Sequence, residues 1–421
     1  MKLRRVVVTG LGVVSPLGNT VPEVWENAVN GVSGAGPITH FDSYLFKTQF
    51  ACEVKNFDPT AYMDRREARK VDTVTQYSVA SAVQAITDSG LDFEKMDANR
   101  AGVVFGVGIG GIGALEDEIR AYTQNPDNGP RFSPFLITKM IADISAGIIS
   151  IRYGLKGPNF VTTAACASSS NALIDAFDQI RLNRADVIVA GGAEAPICFT
   201  AVGAFNAMHA LSTRNDDPKG ASRPFSKSRD GFVMAEGSAC LILEEYEHAV
   251  ARGAKIYAEI VGSGLTADAY HITAPHPDGD GAMRVMKNAI EEAGITPADV
   301  DYINVHGTST YAGDIAEIKA IKTLFGEHAY KLNISSTKSM TGHLLGAAGA
   351  IEAMLTVLAI KNGVVPPTIN HEEGDEDPEI DYALNFTFNK AQKRDIKVAI
   401  SNTFGFGGHN ASIAFKKVEG R

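Results

Sequence analysis

Cysteine is scarce in this chain. Four thiols, Cys52, Cys166, Cys198 and Cys240, stand among 421 residues. That is too few for a disulfide framework, and no CxxC pair offers a zinc spacing. Positive charge is also short: 39 Lys and Arg face 49 Asp and Glu, a formal charge of −10. A nucleic-acid binder needs a basic face, so the balance argues against that class, although a local basic patch is compatible with an acidic total. No apolar run is expected to reach the roughly 18 residues of a membrane span. A secretory leader is not expected either, because the first residues run from a basic turn into a strand. Linkers rich in Pro, Gly or Ser are missing, so one compact body is expected. With 45% hydrophobic residues, the expectation is a large-cored soluble protein of a reducing compartment, the cytoplasm.

What is present is alternation. Short Val- and Ile-rich runs predict strands near residues 5–9, 103–107, 160–163, 187–190, 239–243, 256–261, 302–305, 397–401 and 412–415. Between them, helical patterns fall at 72–89, 170–182, 247–252, 281–293, 314–325 and 349–361. Strands alternating with helices predict an α/β protein with well-buried sheets. Val8-Thr9-Gly10-Leu11-Gly12 is echoed by Val261-Gly262-Ser263-Gly264-Leu265. On the residues alone, duplication and coincidence are equally open.

One cysteine differs from the others. The run Thr162-Thr163-Ala164-Ala165-Cys166-Ala167-Ser168-Ser169-Ser170 sets Cys166 between a strand-like stretch and a small-residue helix. Small neighbours permit a sharp turn and close approach of a substrate. A helix N-terminus is expected to favour the thiolate, the nucleophilic form. The ordinary alternative is a buried structural thiol, which Cys52, Cys198 and Cys240 fit. Downstream, His306 lies in Val305-His306-Gly307-Thr308-Ser309-Thr310 and His343 in Lys338-Ser339-Met340-Thr341-Gly342-His343. A histidine is more often a satisfied polar residue than a catalyst, and the remaining eight are read that way. No metal-ligand spacing supports a zinc site at His271 and His276. A cysteine with two histidines in glycine-rich settings, however, points to covalent catalysis.

These blocks occur in order with Val6-Val7-Val8-Thr9-Gly10-Leu11-Gly12, Ser222-Arg223-Pro224-Phe225, Arg229-Asp230-Gly231-Phe232 and Asn402-Thr403-Phe404-Gly405-Phe406-Gly407-Gly408. Together they resemble the β-ketoacyl-[acyl carrier protein] synthases, best their type II, Cys-His-His branch, over essentially the whole chain. The resemblance implies a duplicated thiolase-like five-layer α-β-α-β-α fold. Residues 1–250 would form the half with the nucleophile and 255–421 the half with the histidines. It implies an acyltransferase of fatty-acid biosynthesis that needs no organic cofactor. Cys166 would take an acyl group from acyl carrier protein. Malonyl-loaded carrier would then lose CO2 beside His306 and His343, and its carbanion would attack the acyl-cysteine in a decarboxylative Claisen condensation. The product is a 3-oxoacyl carrier two carbons longer.

The resemblance also assigns supporting residues, each with a plainer reading beside it. Lys338 would tune the histidines by charge, with Asp314 or another acidic group as counter-ion; otherwise it is a solvated lysine. Phe404, in a glycine loop, would gate the cysteine and lend its backbone N–H to an oxyanion hole; otherwise it is a core aromatic. Thr308 and Thr310, two apart on an extended stretch, would hold the carrier's pantetheine arm. Gly108-Ile109-Gly110-Gly111-Ile112-Gly113 satisfies GxGxxG, yet no ribose-binding acid follows, so a dinucleotide is not expected. It is read as a wall of the acyl tunnel, with Ile109 near the chain terminus. The run Arg65-Arg66-Glu67-Ala68-Arg69-Lys70 is the chief basic cluster. Such runs are usually solvated helix faces; here Arg66, Arg69 and Lys70 match carrier-docking positions, while His209 replaces a common arginine. Asn304, Glu352, Ser401 and Asn402 match a structural monovalent-cation site. A homodimer is implied, with 160–163 at the two-fold axis and Phe135 and Leu136 closing the partner's tunnel. The rivals are a polyketide ketosynthase, a coenzyme A-dependent thiolase, and a non-catalytic chain-length-factor-like subunit. A thiolase needs a second cysteine, which the 404–408 block lacks, and a chain-length factor would lack Cys166.

Overall fold

The computed structural model describes residues 3–418. Ten strands form its main sheet: β1 (Val6–Val14), β2 (Ala101–Gly106), β3 (Asn159–Thr162), β4 (Val187–Glu194), β5 (Gly237–Glu245), β6 (Ala258–Ala267), β7 (Tyr302–Asn304), β8 (Asn333–Ser335), β9 (Val398–Gly405) and β10 (His409–Lys416). The helices that frame the site are α1 (Arg65–Ala68), α2 (Thr73–Ser89), α3 (Ile112–Gln124), α4 (Ser168–Arg181), α5 (Asp280–Glu292), α6 (Tyr311–Phe325), α7 (Lys338–Thr341) and α8 (Ala348–Asn362).

The sheet order is β8-β7-β9-β10-β6-β1-β5-β4-β2-β3. Read outward from the centre, one side runs β1-β5-β4-β2-β3 and the other β6-β10-β9-β7-β8. Adding five to each number of the first gives the second. The pairing repeats as well: two antiparallel steps, then two parallel ones, on each side. The sides join where β1 meets β6 antiparallel, Val7 opposite Glu259. This is a duplicated α/β fold.

The glycine echo marks where each half brings a helix against its first strand. A Cβ on Gly10 or Gly12 would lie 2.2 Å from Ala85 O or 2.0 Å from Ser81 O, on the backbone of α2. On Gly262 or Gly264 it would lie 2.3 Å from Ala289 O or 2.2 Å from Val285 O, on α5. Asp72 caps α2 by accepting the Val74 N–H, and Gly90 (φ +65°) ends it in the left-handed conformation.

Helices α4 and α8 lie between the two sides of the sheet, and α8 touches strands of both. A helix buried all round needs apolar residues all round, and 348–360 of α8 are buried. The 18-residue stretch Leu345–Asn362 therefore does reach the length and hydropathy of a membrane span, contrary to expectation. It is 89% buried inside the protein, so it is read as a core helix. The active-site strands and loops converge at the ends of α4 and α8.

Candidate active site

Strand β3 ends at Thr162 and α4 begins at Ser168, so Cys166 sits in the sharp turn between them. Ala165 takes φ +48°, a left-handed conformation that costs an alanine about 1–2 kcal/mol. Hydrogen bonds hold it there. Ser168 Oγ accepts the Ala164 N–H (2.9 Å) and donates to Ala165 O (2.6 Å). Thr162 Oγ1 donates to Ser168 O (2.7 Å) and Thr163 Oγ1 to Val107 O (2.9 Å).

His343 Nε2 lies 3.1 Å from Cys166 Sγ. The His306 ring meets His343 edge-on, 5.3 Å between centroids. Phe232 caps His343 at 5.3 Å, and Phe404 lies 5.6 Å from His306. Buried Glu317 on α6 fixes the His306 loop by accepting the N–H groups of His306 and Gly307, both at 2.9 Å. His343 follows α7 through Gly342 at φ +68°, and its own N–H donates to Val233 O (2.8 Å). The 222–232 blocks brace both loops: Ser222 Oγ donates to Lys338 O (2.8 Å), the Arg223 N–H to Ser309 Oγ (3.0 Å).

Lys338 is buried, and its Nζ contacts Glu352 Oε1. The counter-ion is thus Glu352. Asp314 instead faces Arg229 at 3.4 Å and accepts the Phe225 N–H (2.9 Å). Burial pushes the Cys166 thiol up to about 12, against the pull of Lys338 and the Phe406 N–H. The thiolate expected from the helix terminus is therefore corrected: desolvation outweighs it. Burial, then the Lys338 charge, drives both histidines well below the usual imidazole value. The resting pair is a neutral thiol beside a neutral base.

A cavity of about 490 Å³ joins these groups. Ile109, Phe205, Met208, Thr308, Thr310 and His276 are among the residues that line it. The Thr308 and Thr310 hydroxyls are 2.9 Å apart, facing together. The glycine loop holds no phosphate cradle, since its N–H groups are taken by buried Glu194. Phe404 needs correcting. It is the next-to-last residue of β9, opposite Asn410, not a loop residue. The backbone N–H that acts on the Cys166 sulfur is Phe406's. Phe135 and Leu136 do not line this cavity; Phe135 is exposed, its ring 5.8 Å from Lys70 Nζ. Arg66, Arg69 and Lys70 are exposed at α1, and His209 is exposed too.

Sequence reasoning missed Glu194, Glu317, Phe232 and Phe406. Ala193-Glu194-Ala195 and Ile315-Ala316-Glu317-Ile318 do carry a signal: a carboxylate in an apolar run must find buried donors.

Two of the four expected cation ligands offer buried oxygens without hydrogen-bond partners, Glu352 Oε2 and Ser401 Oγ. Asn304 stands opposite Ser401 across β7 and β9. Asn402 is already engaged, donating to Glu317 Oε1 (3.3 Å) and accepting from Ser412 (2.9 Å). An oxygen-ligated monovalent ion fits Glu352 and Ser401. Among the described residues, no cluster of three His, Cys, Asp or Glu suits a metal.

Comparison with known proteins gives consistent matches. The model for the beta-ketoacyl synthase N-terminal domain matches residues 3–249, and that for the C-terminal domain 257–372. A 3-oxoacyl-[acyl-carrier-protein] synthase 2 of Synechocystis sp. is 50% identical over 420 residues, 100% of this chain and 99% of that protein. The enzyme of that name from Coxiella burnetii is 49% identical over 99% of this chain and 100% of its own. Among solved structures, a beta-ketoacyl synthase from Burkholderia phymatum is 35% identical with TM-score 0.90, covering 99% of this chain and 100% of that one. A type II polyketide ketosynthase in complex with its acyl-carrier protein is 36% identical with TM-score 0.90 over the same shares.

Proposed function

The chain belongs to the β-ketoacyl synthase family and is a condensing acyltransferase of fatty-acid elongation, and we propose how its residues divide that work. The observation that carries the proposal is the 3.1 Å approach of His343 Nε2 to Cys166 Sγ, with His306 beside it in one cavity. In the first half-reaction the thiol proton passes to His343 Nε2, and sulfur attacks the acyl thioester carbonyl. The carbon–sulfur bond to the donor breaks, and the leaving thiolate takes the proton. The N–H groups of Cys166 and Phe406 donate to the developing oxyanion.

In the second half-reaction the malonyl thioester oxygen lies against His306 and His343, the latter with its ring proton moved from Nδ1 to Nε2 by exchange with solvent so that Nε2 now donates. As CO2 leaves, its bonding electrons pass into an enolate on that oxygen, where a donor is worth about 3–4 kcal/mol. The enolate carbon attacks the acyl carbonyl, the bond to Cys166 breaks, and the departing thiolate takes up one proton from solvent, the proton the condensation consumes. Burial, helped by the Lys338 charge, holds the histidines neutral, so that they act as hydrogen-bonding groups rather than cations.

Donor and acceptor are read as loaded acyl carrier proteins. The related ketosynthase solved with its carrier supports this, as do the exposed Arg66, Arg69 and Lys70 on an otherwise acidic chain. Thr308 and Thr310 would hold the pantetheine arm, and Ile109 would limit acyl length. Identity near 50% to the 3-oxoacyl synthases, against 36% to the polyketide ketosynthase, favours the fatty-acid pathway. We read residues 1–250 and 255–421 as the two halves of a homodimer's protomer, working in the cytoplasm. No organic cofactor enters the scheme; a structural monovalent cation at Glu352 and Ser401 is part of it.

The test pairs labelled CO2 release with labelled acyl-enzyme formation. Cys166→Ala is expected to lose acyl transfer and condensation while still releasing CO2 from malonyl carrier. His306→Ala and His343→Ala are expected to cut CO2 release about 100-fold or more. Condensation by the Cys166 variant, or wild-type decarboxylation by either histidine variant, would sink the assignment.

A further inference from the structure

One buried carboxylate is left without a task in that scheme. Glu194 ends β4, is fully buried, and lines the cavity. Among the described residues no cation pairs with it. Its partners are four backbone N–H groups from two separate loops. Oε2 accepts from Gly108 (2.9 Å) and from Gly346 (3.0 Å). Oε1 accepts from Ile109 (3.0 Å) and Gly110 (3.3 Å). The first loop carries Ile109, which lines the cavity. The second begins at His343, three residues before Gly346. Oε2 therefore bridges the tunnel wall and the histidine loop through a single atom.

We propose that Glu194 is a positioning residue that fastens the acyl-tunnel wall to the His343 loop, so that one carboxylate sets both pockets together. The contact is close on every side. A Cβ on Gly346 would stand 2.3 Å from Gly108 N and 2.5 Å from Glu194 Oε2. A Cβ on Gly108 would stand 2.5 Å from the same oxygen. Both glycines are needed for the two backbones to share it. The chemistry also selects a carboxylate. All four partners are donors, and only an ionised carboxylate is acceptor on both ends. Glutamine would aim its NH2 at two N–H groups, whichever way it flipped. Burial pushes the Glu194 carboxyl up to about 7, so the four N–H bonds are what hold its charge inside. Three consecutive N–H groups around one oxyanion form a nest that also fixes the direction of the Ile109 side chain.

The inference rests on the reading that Ile109 faces the acyl chain and His343 the malonyl group. Its test measures Glu194→Gln and Gly346→Ala beside the wild type. Rates are normalised to the concentration of folded protein, read from the native size-exclusion peak and far-UV circular dichroism, which corrects for unfolded protein. Two ratios are read: long- to short-chain acyl transfer, and CO2 release to short-chain acyl transfer. In both variants both ratios are expected to move about tenfold, the effect of losing hydrogen bonds to a charged group. A merely structural residue would scale every rate alike and leave the ratios unmoved; that result overturns the proposal. A change in only one ratio overturns the coupling. If Glu194→Gln does not fold, Gly346→Ala, which retains the carboxylate but wedges the loops apart, decides alone. A wild type with no CO2 release or no length preference would instead overturn the functional reading beneath it.

Discussion

At Cys166 desolvation and local charge pull in opposite directions. Burial raises the thiol to about 12, while Lys338 and the Phe406 N–H pull down. The same Lys338 charge lowers His306 and His343, so the ion that would help the thiolate also keeps the base neutral. Attack then proceeds by proton transfer within a neutral pair rather than from a standing thiolate. A pH dependence follows with a definite sign. A histidine lowered well below its usual value loses its lone pair only at pH well below about 6.5. Cys166 acylation is therefore expected to show no histidine limb from pH 8 through 6.5, and a limb near 7 that Glu194→Gln abolishes belongs to that carboxyl, which burial raises to about 7. The check is the rate of acyl-enzyme formation against pH, with enzyme integrity confirmed at each point. An acid limb centred at an ordinary imidazole value would show that neither burial nor Lys338 governs the pair. The three reacting residues were legible in the sequence because glycines and small side chains crowd around them. Glu194 and Glu317 were legible only as carboxylates in apolar runs that must find buried donors, and which N–H groups they hold no side-chain pattern reports; Phe406, which acts through its backbone N–H, left no signal.

Among the elements, periodicity found the long strands and helices but misjudged where they stop. Strand β6 was expected to end at 261 and runs to Ala267; β9 was expected to end at 401 and runs to Gly405. In each case the extra residues are glycine- and polar-rich, and cross-strand pairing along β10 holds them extended. Strand β8 was not expected because its three residues are too short for any pattern. Helix α3 was missed as well: none of its side chains is buried, so no apolar stripe marks it. The glycine echo carried more information than its length suggests. It records two helices lying on two strands at backbone contact, once in each half. Gly12→Ala and Gly264→Ala would each drive a Cβ to about 2 Å from a helix carbonyl. Neither backbone can give way without moving a buried helix, so each is expected to lose about 1–3 kcal/mol of stability. Gly36→Ala, whose Cβ meets nothing within 4 Å, serves as the control and is expected to stay within about 0.5 kcal/mol of wild type. Denaturant midpoints for the three variants decide it; equal losses, or none, would mean that the echo is not a packing device.

For the whole molecule the open question is what covers the end of the sheet. Strand β3 pairs only with β2, and its outer edge is free among the described residues. A free edge is a template for another strand, and soluble proteins seldom leave one uncovered. Asn159 is exposed, and Phe160, Val161 and Thr162 are only half-buried, although this strand leads straight into the nucleophile's turn. Exposed Phe132, Phe135, Ile137 and Ile141 add apolar surface in the segment before it. Pairing of two copies through β3, antiparallel about a two-fold axis, would bury this surface and brace the Cys166 turn in both. The expected mass in solution is therefore about twice the 44.7 kDa of one chain. Val161→Lys places a charge on the uncovered strand without touching Cys166. It is expected to shift the population toward monomer and, because the strained Ala165 turn loses its brace, to lower condensation in step with the monomer fraction. Light scattering coupled to size exclusion at micromolar concentration, with activity measured across the peak, provides the check. A wild-type monomer with full activity would refute the dimer. A dimer that Val161→Lys leaves intact would place its interface elsewhere than β3.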